Sequence, residues 1–302
     1  MHFRSAGSAG EGLERLRRGP RREWIASAGP VDGVELFRAW FAGVAYRKHR
    51  HDTYAVALTD SGVQVFDYRG SVHASSPGQV IVLYPDELHD GRAGSSEGFG
   101  YRIVYVDPSR LADAVRAVRG RAYPLPFLSD AVLTNTQLAR TIRESFGAPL
   151  EPLAADSLVV ELAEGLLVGE RRCDGLAASP RIDVRAIDRA RQLLDAERTR
   201  TVRSAELEAV SGLTRYDLAR QFRIALGTSP HRYQLMRRLE YARDAIHAAR
   251  SLAEIACDAG FVDQAHFTRA FTSAFGLTPG RYVALRRPLA ADQGRRQPSH
   301  LP

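Results

Sequence analysis

Residues 251–282 decide the fold: Ser251-Leu252-Ala253-Glu254-Ile255-Ala256, then Gly260-Phe261, then His266-Phe267-Thr268-Arg269-Ala270-Phe271, then Phe275-Gly276-Leu277-Thr278-Pro279 and Tyr282. Leu252, Ile255 and Ala256 share one face of a short helix. Phe267, Phe271 and Phe275 recur at i, i+4 and i+8, the spacing of a second apolar stripe. Gly260 gives the backbone freedom a tight turn needs, and Gly276 marks the end of the second helix. The stretch reads as helix, short turn, helix.

It is also the second of two copies. Ser211-Gly212-Leu213 through Tyr233 matches Ala259-Gly260-Phe261 through Tyr282 at an offset of 49 residues, and the shift becomes 48 upstream of the turn. In the first copy Ser204 is a candidate cap for a helix with Ala205, Leu207 and Val210 on its apolar side. Gly212 makes the turn. Thr214 caps the next helix, whose inward face is Leu218, Phe222 and Leu226, and Gly227 ends it. Cys257, beside Ala256, reads as a small core residue. One helix and a glycine turn would say little, but two copies in tandem form a helix-turn-helix pair.

Charge points the same way. The chain of 302 residues carries a net +7, but residues 181–302 hold 21 Arg against 13 Asp and Glu, a net of +8 that leaves −1 for residues 1–180. A basic C-terminal third beside a neutral remainder suggests a polyanion-binding part and a part with another task. The length suits two domains. No stretch approaches the roughly 20 apolar residues of a membrane span. Two cysteines, Cys173 and Cys257, make no disulfide framework and fit the cytoplasm.

The quoted motifs of residues 251–282 resemble those of the AraC/XylS family of bacterial transcription regulators, over about residues 181–286. The resemblance implies two helix-turn-helix units joined by a long helix, here about Pro230 to Ala249 with Leu235, Leu239, Ala242 and Ile246 buried. It also implies binding to two consecutive major-groove segments on one face of double-stranded DNA, a homodimer, an RNA polymerase partner, and activation more often than repression. In such units the second helix presents its outward N-terminal residues to base edges. With Leu218 and Phe222 inward, the candidates are Arg215, Tyr216, Ala219, Arg220 and Arg223, and by the repeat Gln264, Ala265, His266, Thr268 and Arg269. Arg suits guanine, Gln adenine, and a methyl group the thymine methyl.

Residues 34–106 read as short β-branched and aromatic strands punctuated by turns at Asp60-Ser61-Gly62, Arg69-Gly70, Pro77-Gly78 and Pro85, the pattern of a sandwich or small barrel. Helical periodicity follows at Leu111, Val115 and Val118, then at Leu138, Ile142 and Phe146, and then at Leu158, Leu162 and Leu166. The segments Arg47-Lys48-His49-Arg50-His51-Asp52-Thr53-Tyr54, Pro77-Gly78-Gln79 and Pro85-Asp86-Glu87-Leu88-His89 resemble the cupin-type sensor domain common at the N-terminus of this family. The expected fold is α+β: an N-terminal cupin-like β-barrel with covering and dimerising helices, then an all-α double helix-turn-helix. The expected divisions are a disordered 1–22, a sensing domain 23–172, a linker 173–182, a DNA-binding domain 183–287 and a disordered tail 288–302.

A small-molecule effector is expected inside the barrel, with Trp40, His49, His51, Tyr54, Phe66, Tyr84 and His89 as candidate lining. His49 and His51 fall on one face of a strand, and with His89 they are similar to a cupin metal set. The carboxylate that usually completes that set is missing, because Tyr54, Ala55, Val56 and Ala57 follow. The expectation is therefore no metal, no cofactor and no catalysis; a metal-dependent cupin enzyme fused to a DNA-binding module is the alternative.

Overall fold

A computed structural model of the chain describes residues 23–120, 124–170, 182–246 and 250–289. Strand propensity and alternation build two sheets. The larger runs β10-β7-β4-β9-β2-β1-β11 and the smaller β3-β8-β5-β6. Their strands are β1 (Trp24–Val31), β2 (Val34–Phe41), β3 (Val44–His49), β4 (Tyr54–Gly62), β5 (Gln64–Tyr68), β6 (Ser71–Ser75), β7 (Val80–Leu83), β8 (His89–Ala93), β9 (Phe99–Val106), β10 (Val132–Leu133) and β11 (Arg286–Pro288). At the centre β9 pairs antiparallel with both β2 and β4, through Phe37↔Ile103 and Ala57↔Ile103. Helices α1 (Pro108–Arg119), α2 (Thr136–Glu144) and α3 (Pro152–Gly169) follow. They bury Leu111, Val115, Leu138, Ile142, Leu158, Leu162 and Leu166, and Phe146 is buried just past the end of α2; Val118, expected on the core face of α1, is exposed.

The C-terminal region is helical: α4 (Val184–Ala196), α5 (Ser204–Ser211), α6 (Arg215–Leu226), α7 (Pro230–Ala245), α8 (Leu252–Asp258), α9 (Gln264–Phe275) and α10 (Pro279–Leu285). Side-chain caps open most of these helices, each satisfying an amide that has no intrahelical acceptor. Thr214 accepts from the amide of Asp217, Ser251 from Glu254 and Asp263 from His266. Helix α5 differs from expectation. Ser204 lies inside it and Arg203 occupies the cap, its amide donating to Glu206 at 2.8 Å. Cys257 is exposed rather than core, because α8 turns it away from Ile255 and Ala256.

The two turn glycines match in φ, +73° at Gly212 and +78° at Gly260, but not in surroundings. Open space surrounds Gly212, whereas a methyl group on Gly260 would run into the carbonyl oxygen of Thr199. Conformation alone selects glycine at the first turn; at the second, close packing selects it as well.

Apolar packing does not divide where the composition does. One buried cluster runs from the sheets through Met236, Leu239 and Ala242 of α7 into Ile255, Phe267 and Phe271 of the second helix-turn-helix. A smaller cluster around Ile187, Leu194, Leu218, Phe222 and Tyr233 belongs to the first unit alone. The end of the helical region returns to the sensor, where β11 adds parallel to β1, with Ile25↔Arg286 and Ser27↔Pro288 in register. Pro288, expected to begin a disordered tail, is therefore in a strand. The expectations for 1–22, for Cys173 and the linker up to residue 181, for 290–302, and for the connecting helix at 247–249 lie outside the described residues.

Candidate DNA-reading faces and interdomain cavity

The outward faces of α6 and α9 stand clear of the other described residues. Arg215, Tyr216, Ala219, Arg220, Arg223, Gln264, Ala265, His266 and Arg269 are exposed, Tyr216 at 81%, and Thr268 is half-buried. Burial of Leu218, Phe222, Phe267 and Phe271 on the opposite side fixes that orientation. Some of these side chains already have partners. Arg215 faces Glu208 at 3.5 Å, Arg220 is 3.9 Å from Asp217, and the His266 ring meets Phe261 edge-on with centroids 5.3 Å apart. Exposed pairs of this kind contribute little and open readily.

The other ends of the same two helices are held by the β-rich domain. Gly227 and Gly276, equivalent in the repeat, close α6 and α9 in the left-handed conformation, with φ of +70° and +69°. A methyl group on Gly227 would come within 2.8 Å of Pro85; one on Gly276 would come within 2.8 Å of Tyr46 and of His49 Nδ1. The last carbonyls of α9 have no intrahelical donor. The Arg47 amide donates to Gly276 at 3.0 Å and the Arg50 amide to Ser273 at 3.2 Å. Arg232 of α7 donates to the Arg50 carbonyl.

Charges reinforce this contact. Arg243 donates to Glu35 at 2.8 Å, with both side chains about nine-tenths buried, and Ser27 donates to the same carboxylate at 2.5 Å. Arg237 meets Asp52 and Glu240, each at 3.0 Å, and Asp107 at 3.9 Å. Burial raises the Asp107 carboxyl to about 6, against the pull of Arg237.

Between the two regions lies a cavity of about 90 Å³. Its sensor wall includes Glu35, Phe37, Tyr46, His49, His51, Asp52, His89, Tyr101, Ile103 and Tyr105, and its helical wall Met236, Glu240, Arg243, Phe275 and Tyr282. Of the seven residues expected to line an effector site, His49, His51 and His89 line this cavity, and the other four lie outside its lining. Trp40 packs over Gly98 and Gly100. Tyr54 and Tyr84 stack edge-on against each other, centroids 5.2 Å apart, and Phe66 stacks on His73. Strand alternation turns Trp40 and Tyr54 to the opposite face of β2 and β4, whereas Phe66 and Tyr84 are taken up by their aromatic neighbours. Sequence reasoning missed the inward row Tyr101, Ile103 and Tyr105, although period-two alternation along β9 carries that signal. It also missed the helical wall, for which no local pattern exists.

The three imidazoles are close, with centroids 4.2 Å apart for His49 and His89, 4.8 Å for His51 and His89, and 6.2 Å for His49 and His51. Each Nδ1 lies 2.8–2.9 Å from a backbone carbonyl: Arg47, Thr53 and Glu87 respectively. A carbonyl oxygen only accepts, so each Nδ1 carries the proton. Burial pushes all three well below the usual histidine value, His89 to about 4. Between pH 4 and about 6.5 the unfolded chain therefore binds a proton at residue 89 that the folded chain refuses. The associated stability is complete above about pH 6.5 and is lost as pH falls through about 4, a change on the order of 3 kcal/mol. Chemical denaturation at pH 7 and pH 4 should show the native protein losing about 3 kcal/mol relative to His89→Gln. A difference that stays constant with pH would exclude this account.

A wider cleft of about 1,020 Å³ separates α1 from α4 and the end of α6, with Arg110, Arg116, Arg185 and Arg191 interspersed with Asp32, Asp113 and Asp188. Among the described residues no helix is long and apolar enough to cross a membrane.

Comparison with known proteins agrees with this architecture. Residues 33–165 match the family described as AraC-like ligand binding domain, and residues 207–284 match a helix-turn-helix domain family. The HTH-type transcriptional regulator YbfI of Bacillus subtilis is 23% identical over 240 residues, covering 77% of this chain and 85% of the relative. The arabinose operon regulatory protein of Salmonella typhimurium is 24% identical over 246 residues, covering 76% and 83%. The solved structure of ToxT from Vibrio cholerae with bound unsaturated fatty acid superposes with a TM-score of 0.57 at 14% identity, over 87% of this chain and 95% of that one. With two helix-turn-helix units carried on a cupin-like β domain, the chain belongs to the AraC/XylS family of transcription regulators.

Proposed function

We infer that the protein reads a promoter through Arg215, Tyr216, Ala219, Arg220 and Arg223 of α6 and Gln264, Ala265, His266, Thr268 and Arg269 of α9. A small effector in the interdomain cavity sets how those two helices are held. One observation carries this reading: both reading helices point their N-terminal ends to solvent while their C-terminal glycines rest on the sensor, at Pro85 and at Tyr46–His49. His49 belongs at once to the cavity wall and to the seat of Gly276. A ligand that favours one arrangement of the cavity thereby biases the position of α9, which is the differential contact allostery requires. ToxT, whose structure holds a fatty acid, supports the idea of a ligand site in this fold. The cavity chemistry here differs from what a fatty acid needs.

The protein works in the cytoplasm without catalysis and without a metal or other cofactor, and in the family's commoner mode it activates RNA polymerase. It does so as a homodimer, for which α3 offers Leu153, Val160 and Val168 on an exposed face. The proposed divisions are a sensing domain over 23–172 and a DNA-binding domain over 183–287.

Gel-shift titration against single-base operator variants tests the reading. Arg220→Ala and Arg269→Ala should each weaken binding by about 1–3 kcal/mol and relax preference at one base pair in successive grooves. Loss spread evenly over all operator variants would reduce these arginines to phosphate contacts. Affinity should also fall steeply with salt.

A further inference from the structure

Two buried acceptors on residues that line the cavity have no donor. His51 is 6% exposed and Asp52 is 2% exposed, yet His51 Nε2 and Asp52 Oδ1 make no hydrogen bond. A third such atom, Oε1 of Gln64, belongs to another lining residue. Nδ1 of His51 holds the ring proton toward the Thr53 carbonyl, so Nε2 presents a lone pair. Asp52 gives Oδ2 to Arg237 and keeps Oδ1 unpaired. An acceptor left buried and unpaired is costly, so a partner that supplies protons gains what the empty site forfeits.

The rest of the wall narrows that partner. Among the described residues its one Lys or Arg is Arg243, which is bound to Glu35, whereas carboxyl groups come from Glu35, Asp52, Asp90 and Glu240. An anion finds no uncommitted cation. A polyol brings two lone pairs with every hydroxyl proton, whereas the unpaired wall atoms are acceptors and the imidazole protons are spent on backbone carbonyls. An ammonium group brings protons and no lone pairs. The tyrosine and phenylalanine rings on both walls add π faces, which attract a desolvated cation. At ~30 Å³ per water, a volume of about 90 Å³ holds about three waters, so the occupant is small.

We propose that the interdomain cavity binds a small organic ammonium ion, with Asp52 and His51 accepting its N–H groups. This rests on reading the cavity as the effector site. It can fail independently of DNA recognition, because binding is measured on the full chain without DNA.

Thermal denaturation and calorimetric titration with three probes matched in size test it: n-propylammonium chloride, 1,2-ethanediol and sodium acetate, at constant ionic strength. Only propylammonium should raise Tm in a saturable way. Asp52→Asn should weaken its binding by at least about tenfold. Ala57→Leu, which fills the cavity from β4, should abolish it. An equal response to the diol or to acetate, or no response to any probe, overturns the proposal. So does a propylammonium response that survives both variants undiminished. Loss of operator binding by Arg220→Ala and Arg269→Ala, scored separately, bears only on DNA reading.

Discussion

Arg243→Met should destabilise the protein by about 3–5 kcal/mol in denaturant titration at pH 7, and a second change, Glu35→Gln, should recover most of that loss. The physical reason is asymmetry. A buried ion pair gains little over an apolar pair of similar size, because both charges have left water. Removing one partner is different, since it strands the other charge in the interior. Glu35 keeps only the Ser27 hydroxyl once Arg243 is gone. The side chain of Arg243 also lies over the Phe275 ring at 5.4 Å, and methionine retains much of that contact. The pair joins β2 of the sensor to α7, so the single variant should also loosen the two regions and open the cavity wall to protease. A loss under about 1 kcal/mol, or a double variant no better than the single, would mean that Glu35 is hydrated and the contact is peripheral.

The reading helices were legible in the sequence because their evidence is local. Leu218, Phe222, Phe267 and Phe271 recur at helical spacing, Gly227 and Gly276 close each helix, and the 49-residue repeat tests one copy against the other. The strands were legible for the same reason. The cavity was legible only in part. His49, His51 and His89 sit in recognisable segments, but Arg243, Glu240 and Phe275 reach the cavity from helices more than 150 residues away in sequence. Nothing in a helical stripe says which distant surface it will close. Trp40, Tyr54, Phe66 and Tyr84 show the converse, since an aromatic residue in a strand is inward for packing as often as for binding. The docking of β11 on β1 was hidden too, because Arg286-Arg287-Pro288 carries no strand signal and borrows its register from the neighbouring edge.

The repeat also sets up a comparison between equivalent core residues. Phe222 and Phe271 are both fully buried, and either change to alanine should cost about 3–5 kcal/mol through lost contacts and a residual cavity. The consequences should differ in reach. Phe222 belongs to the small cluster of the first unit, with Tyr233 edge-on at 5.6 Å. Phe271 belongs to the cluster that continues into the sensor, and it touches Phe267, Phe275 and Tyr282 at 4.6–5.7 Å, of which Phe275 and Tyr282 line the cavity. In Phe222→Ala, hydrogen exchange should therefore speed up in α4 to α6 while β3 and β4 stay protected, since local unfolding follows cooperative units. In Phe271→Ala the faster exchange should extend to β3, because the amides of Arg47 in β3 and of Arg50 just after it donate to the end of α9. Ligand response should be lost with the second change and kept with the first. Identical exchange patterns for the two variants would contradict the division of the core on which the coupling of cavity to reading helix depends.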